Sequence, residues 1–196
     1  MSVPSQQTTF TPEDLLHMPE GKMFELVDGQ LVEKSMGFKS ARIGLRIAAS
    51  LSDHAEKNRL GWVNGADAGY QCFPDDPSKV RKPDVSFIRA DRLAADKEPE
   101  GFARIAPDLV AEVVSPNDLF EDVTVKISEF LTAGTRLCWV VDPATQQVHV
   151  YHQDGRGSIL SRDDELSGED VVPGFCCRVA DLFSPPSGVV TTGEKS

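Results

Sequence analysis

The stretch Asp108-Leu109-Val110-Ala111-Glu112-Val113-Val114-Ser115-Pro116 constrains this chain more than any other. It reads as an apolar strand over residues 109–114 with one charge in it, and strand alternation sets Glu112 on the face of Val110 and Val114. A lone carboxylate on an apolar face costs several kcal/mol unless a cation pairs with it, so Glu112 requires a lysine, an arginine or a metal. Two partners are available. Lys126 lies 14 residues on, in a helix whose first turns fold back over the strand end. The other is a divalent metal shared with Asp84. In Arg81-Lys82-Pro83-Asp84-Val85-Ser86-Phe87 proline leads into a second strand and a carboxylate stands at its start, within reach of solvent; Mg²⁺ favours a few carboxylate oxygens completed by water. Two carboxylates, a metal and a lysine are the components of metal-assisted phosphodiester hydrolysis. The metal polarises the phosphate and lowers the pKa of attacking water, and the lysine orients that water or offsets developing charge. On spacing alone a structural Glu112–Lys126 ion pair is the more ordinary account, and both readings stay open.

The surrounding pattern is that of one α+β domain with a mixed, curved sheet flanked by helices. Thr11-Pro12-Glu13-Asp14 supplies an N-cap, a proline at the first helical position and acids that suit the helix dipole, opening a short helix through His17. Residues 23–27 and 30–34 flank Asp28-Gly29, a pair that tolerates positive φ, which predicts a hairpin. Ile43, Ile47, Ala48, Leu51 and Ala55 recur at helical spacing over 38–57, with Lys39, Arg42 and Arg46 as a basic stripe beside them. Strands are expected over 62–64, 69–73, 85–88, 109–114 and 137–141, with a last hairpin at 148–152 and 158–160. A second long helix is expected over 119–133, started near Asn117 or Asp118 and stopped by Gly134.

At 196 residues the chain has the length of a single domain with a sizeable core. We expect a flexible N-terminus over 1–10, the domain over 11–183 and a flexible tail over 184–196, rich in Ser, Pro, Gly and Thr. With 20 Lys and Arg against 31 Asp and Glu, the net charge of −11 removes any whole-molecule attraction to a polyanion. From Lys34 to Arg92, however, eleven basic residues stand against seven acidic ones, enough for a local basic face. The opening MSVPSQQTTF lacks an apolar core and a basic start, and no run of about 18 apolar residues is present to span a bilayer. A cytoplasmic protein without a membrane role is expected. Cys72, Cys138, Cys176 and Cys177 form no CxxC pair, and reduced thiols packed as small apolar groups are expected.

Taken in order, Phe24-Glu25-Leu26-Val27-Asp28-Gly29, Lys82-Pro83-Asp84-Val85, the stretch from Leu109 to Pro116, Asp122 with Lys126, and Trp139-Val140-Val141-Asp142-Pro143 resemble the putative restriction endonuclease family often called Uma-two, of the PD-(D/E)XK nuclease superfamily. The resemblance runs from Thr11 to Phe183. It implies a restriction-endonuclease-like core and Mg²⁺-dependent cleavage of nucleic acid, DNA foremost, with Mn²⁺ as a substitute metal. It implies Asp84 and Glu112 as metal ligands, joined by the backbone carbonyl of Val113, and Glu25 as an auxiliary acid on the first hairpin. The superfamily's usual lysine falls two residues after the glutamate, where this chain has Val114; in this family a lysine of the following helix supplies the charge, and Lys126 holds that place. The resemblance implies a histidine near Ser40 and a tyrosine near Phe130 in many relatives, and this chain departs from that pattern at both.

In that setting Asp122, four residues before Lys126, is placed to pair with it. Lys39, Arg42, Arg46, Arg81 and Lys82 become the expected phosphate contacts. A symmetric homodimer would present two such sites to two strands. The rival within the same fold is a catalytically silent protein that binds nucleic acid or a protein partner. Other motifs fail on geometry. His149 and His152 are three apart in a strand and so on opposite faces. Ser115-Pro116 has no sequence-linked histidine and reads as a turn capping the next helix. No Gly-rich phosphate loop is present.

Overall fold

The structure, a computed structural model, describes residues 9–34 and 37–186. In chain order its elements are α1 (Pro12–His17), β1 (Phe24–Val27), β2 (Gln30–Glu33), α2 (Phe38–Asn58), β3 (Gly61–Gly65), β4 (Val85–Arg89), β5 (Leu109–Val113), α3 (Phe120–Ala133), β6 (Leu137–Asp142), β7 (Gln147–His152), β8 (Gly157–Leu160), β9 (Glu165–Ser167), β10 (Cys176–Arg178) and α4 (Val179–Phe183). Strands β3 to β8 lie side by side in chain order in a six-stranded sheet. Neighbours are antiparallel except β5 and β6, which run parallel because α3 carries the chain back to the end where β5 began.

The central strands are apolar at almost every position because both sheet faces are covered. Leu109, Ala111 and Val113 of β5, with Leu137, Trp139 and Val141 of β6, share a core with Ile43, Ile47, Leu51 and Ala55 of α2. Val110, Cys138 and Val140 pack instead with Ile127 and Phe130 of α3. Alternation therefore sends Glu112 toward α3. A third cluster of Leu15, Leu26 and Val80, joined by Phe10 and Phe102, seats α1 and the β1–β2 hairpin. Thr11 and Asp14 close α1 with a reciprocal capping box. The hairpin turns at Asp28 and Gly29, with φ of 49° and 72°, the conformation that a two-residue Asp-Gly loop requires. Leu26 exchanges backbone hydrogen bonds of 2.9 and 2.8 Å with Val80, which sets β1 beside the segment leading to Asp84.

Several local expectations are corrected. Residues 69–73 form no strand; Tyr70 makes single bridges to Arg81 and Ala103, so isolated links on either side replace a ladder. α3 starts at Phe120 behind Leu119 without a side-chain cap, because the Asp118 carboxylate is taken by the Ser115 N–H at 2.8 Å. Phe10 donates its N–H to the Gly29 carbonyl at 2.9 Å, which ties it to the hairpin turn. The rest of the expected terminal segments, 1–8 and 187–196, lies outside the described residues. All four cysteines are free thiols, and Cys176 is exposed because the two-stranded β9–β10 ribbon leaves it uncovered. Among the described residues no helix is long and apolar enough to cross a membrane.

Candidate active site

Asp84 directly precedes β4, whose register pairs Val85 with Ala111; one step further along, Asp84 comes level with Glu112. The backbone ladder stops there, and Asp84 Oδ2 accepts the Val113 N–H at 2.8 Å in its place. Two carboxylates are thereby held at one end of adjacent strands. Glu112 is 8% exposed, and Asp84 lines a cavity of about 180 Å³ with Ser40, Gly44 and Ala66.

Lys126 reaches from α3 to within 2.8 Å of both Glu112 Oε1 and Glu25 Oε1 and donates to the Lys82 carbonyl at 3.0 Å. Ile127 and Phe130, buried in the α3-side core, anchor the helix that carries it. Asp122 is exposed and makes no ion pair with Lys126 among the described residues. This corrects the expected pairing: two buried carboxylates draw the ammonium inward, away from the surface where Asp122 stands.

Glu25 joins the site to a longer chain of buried charge. One of its oxygens accepts the Lys82 N–H at 2.7 Å, and the other accepts the Arg81 guanidinium at 3.0 Å. Arg81 donates in turn to Glu129 at 2.7 Å, and Lys79 donates to the same carboxylate at 2.6 Å. Burial opposes the charge of Glu25, but Lys126 and Arg81 overcome it and hold the carboxyl down at about 2. Glu112 goes the other way. Burial pushes it up to about 7, with repulsion from Asp84 and Glu25 working against the attraction of Lys126. Burial also disfavours the ammonium of Lys126, yet Glu112, Glu25 and Asp84 outweigh it and raise its pKa.

Although the Lys126 nitrogen is 2.8 Å from Glu112 Oε1, that buried oxygen receives no well-aligned hydrogen bond among the described residues. It is an acceptor with capacity left, next to a second carboxylate. Among the described residues no group of three His, Cys, Asp or Glu side chains could hold a metal. Asp84 and Glu112 are the two carboxylates that stand together at this end of the sheet.

Sequence reading missed Lys34. From the end of β2 its ammonium donates to the carbonyls of Lys82 at 2.7 Å and Ala66 at 3.1 Å, and stands 3.7 Å from Asp84 Oδ1. No periodic signal marks a lysine at the end of a hairpin strand; only the fold brings it to Asp84. Ser40 Oγ donates to the Val114 carbonyl at 3.2 Å, and Ser115 Oγ to Ser40 Oγ at 3.1 Å. Two serines thus tie α2 to the end of β5.

The residues expected to meet phosphate are largely engaged within the protein. Arg81 and Lys82 are 8% and 3% exposed; Glu25 and Glu129 share the first, and the second donates to the Gly21 carbonyl at 2.6 Å. Arg42 donates to the carbonyls of Ser184 at 2.9 Å and Phe183 at 3.4 Å, and Arg46 to those of Asp181 and Ser184. The two arginines of the basic stripe therefore cap the C-terminal end of α4. Lys39 donates to the Pro143 carbonyl at 2.8 Å but remains an exposed residue.

Residues 12–180 match the model of the Uma2 family, described as "Putative restriction endonuclease". A crystal structure of a putative nuclease belonging to DUF820 from Anabaena variabilis is 23% identical, with a TM-score of 0.77 over 89% of this chain and 97% of that one. The two share a fold, and it is the mixed sheet between helices that the sequence pattern predicts. No curated protein matches the chain.

Proposed function

Because the chain belongs to the Uma2 family, we propose that it is a metal-dependent nuclease hydrolysing phosphodiester bonds of nucleic acid, with DNA as substrate and Mg²⁺ as the metal, Mn²⁺ serving in its place. One observation carries this reading. Glu112 is a buried carboxylate with an oxygen that no aligned donor saturates among the described residues, set beside Asp84 and 2.8 Å from an ammonium. Asp84 and Glu112 would hold the metal, with the Val113 carbonyl as third ligand. When bound, the cation polarises the scissile phosphate and lowers the pKa of an attacking water.

The chain's own residues supply the rest. The Val113 N–H fixes one Asp84 oxygen and so orients the other. Lys126, kept protonated by its carboxylates, offsets negative charge that develops on the phosphate. Glu25 holds that ammonium in place, and its depressed pKa keeps it ionised throughout. Glu112 must shed its proton to accept a cation, so metal affinity rises as pH passes through about 7. With a net charge of −11, affinity for DNA depends on local contacts, among which Lys39 is exposed.

The test is incubation of plasmid and single-stranded DNA with Mg²⁺, Mn²⁺ or EDTA beside Glu112→Ala. Metal-dependent nicking that disappears in the variant supports the reading; no cleavage and no metal binding overturn it. The silent-fold reading draws on the self-contained pairing of Lys126, Glu25, Arg81, Glu129 and Lys79. It predicts retained binding of nucleic acid or a protein partner without cleavage in any metal.

A further inference from the structure

Two lysines converge on the Lys82 carbonyl, Lys34 at 2.7 Å and Lys126 at 3.0 Å, and each faces one of the two proposed metal ligands. Their situations differ. Lys126 is bound to Glu25 at 2.8 Å as well as to Glu112, so it keeps a carboxylate partner when Glu112 turns to a cation. Lys34 has Asp84 as its carboxylate partner among the described residues, at 3.7 Å, and its other contacts are the neutral carbonyls of Ala66 and Lys82. Both members of the Lys34–Asp84 pair are largely withdrawn from solvent, at 13% and 12% side-chain exposure, where salt screens little.

We propose that Lys34 is the resident counter-ion of Asp84 and that a divalent cation must compete with it, so that Lys34 sets the metal affinity of the site. This rests on the nuclease reading's assignment of Asp84 as a ligand. The competition also favours divalent ions. A monovalent cation brings no more charge to Asp84 than the ammonium already there, whereas a divalent one does. Lys34 is thus a positioning and selectivity residue, distinct from Lys126, which stays in the site with the metal bound.

The test is calorimetric titration of Mg²⁺ and of Mn²⁺, without nucleic acid, into the wild type, Lys34→Gln and Lys34→Arg, with thermal unfolding as a check of folding. Removing a unit charge this close to a ligand should tighten binding by about tenfold in Lys34→Gln, while Lys34→Arg, which keeps the charge, stays near wild type. Equal or weaker binding by Lys34→Gln, with the wild type binding normally, overturns this inference alone. Absence of binding in all three overturns the metal site and the inference together. A second measurement needs no variant: amine acylation of the wild type, read by mass spectrometry. Mg²⁺ should raise the labelling of Lys34 relative to Lys126, and an unchanged ratio counts against the proposal.

Discussion

Replacing Glu25 by glutamine isolates the electrostatic contribution of the buried network. The side chain is 5% exposed, and the change keeps its size while removing the charge that Lys126 approaches to 2.8 Å and Arg81 to 3.0 Å. The amide oxygen can still accept the Lys82 N–H, but the NH₂ group must then face a cation. The magnitude follows from linkage. Glu25 ionises at about 2 in the folded protein against an ordinary 4.5, and at ~1.4 kcal/mol per pKa unit the difference is worth about 3 kcal/mol. Because the folded pKa is depressed, this contribution is complete well above pH 4.5 and is lost as pH falls toward about 2. For a chain of this length, about 3 kcal/mol corresponds to a fall of roughly 6–12 °C in Tm. Urea unfolding of wild type and Glu25→Gln at neutral pH should show that gap, and at a pH of about 3.5 it should narrow by about 1 kcal/mol. A neutral-pH gap below about 1 kcal/mol, or one of unchanged size in acid, refutes the charge argument and leaves only packing.

Glu112→Gln should act in the opposite direction on stability. The folded pKa of about 7 lies above the ordinary 4.5, so the wild type loses stability as pH rises between these values, and the variant's advantage in urea unfolding should widen across that window. The same variant should bind no Mg²⁺. Lys126→Met strands Glu112 and part of the charge of Glu25, and should destabilise by about 3–5 kcal/mol by the same assay. Asp84→Asn keeps an oxygen for the Val113 N–H, so its unfolding midpoint should stay within about 1 kcal/mol of wild type while calorimetric Mg²⁺ binding disappears. The pair Arg42→Gln and Arg46→Gln should lower stability by about 2–3 kcal/mol through the loosened end of α4, and leave the salt dependence of DNA binding unchanged.

What could be read from the sequence was what short-range chemistry writes there. The Thr11 N-cap, the Asp28-Gly29 turn and the glycine at 134 each act over a few residues, and the structure has all three. Glu112 was legible because a charge within an apolar strand demands a partner, and Lys126 supplies it. The inward turn of Arg81 and Lys82 was not, since it depends on Glu25 and the Gly21 carbonyl arriving from 56 and 61 residues away. Lys34 was hidden for the same reason. The stripe of Lys39, Arg42 and Arg46 reads as a phosphate-contacting face, and nothing local in the sequence tells that the carbonyls around α4 reach its arginines. β9, β10 and α4 are only three to five residues long, too short to show a period.

The parallel pairing of β5 with β6 bears on how the protein refolds. That pairing closes only after the chain between Val113 and Leu137, α3 included, has come back across the sheet, and loop closure has to precede the gain from such nonlocal contacts. Lys126 travels on this crossover and Glu25 on a hairpin near the start of the chain. A chain halted before this closure would carry Glu112 without the ammonium that meets it in the folded protein. On the proposed metal site, Mg²⁺ that binds the folded chain alone should slow unfolding, and the Lys126→Met variant should show how much of the barrier the crossover contact sets.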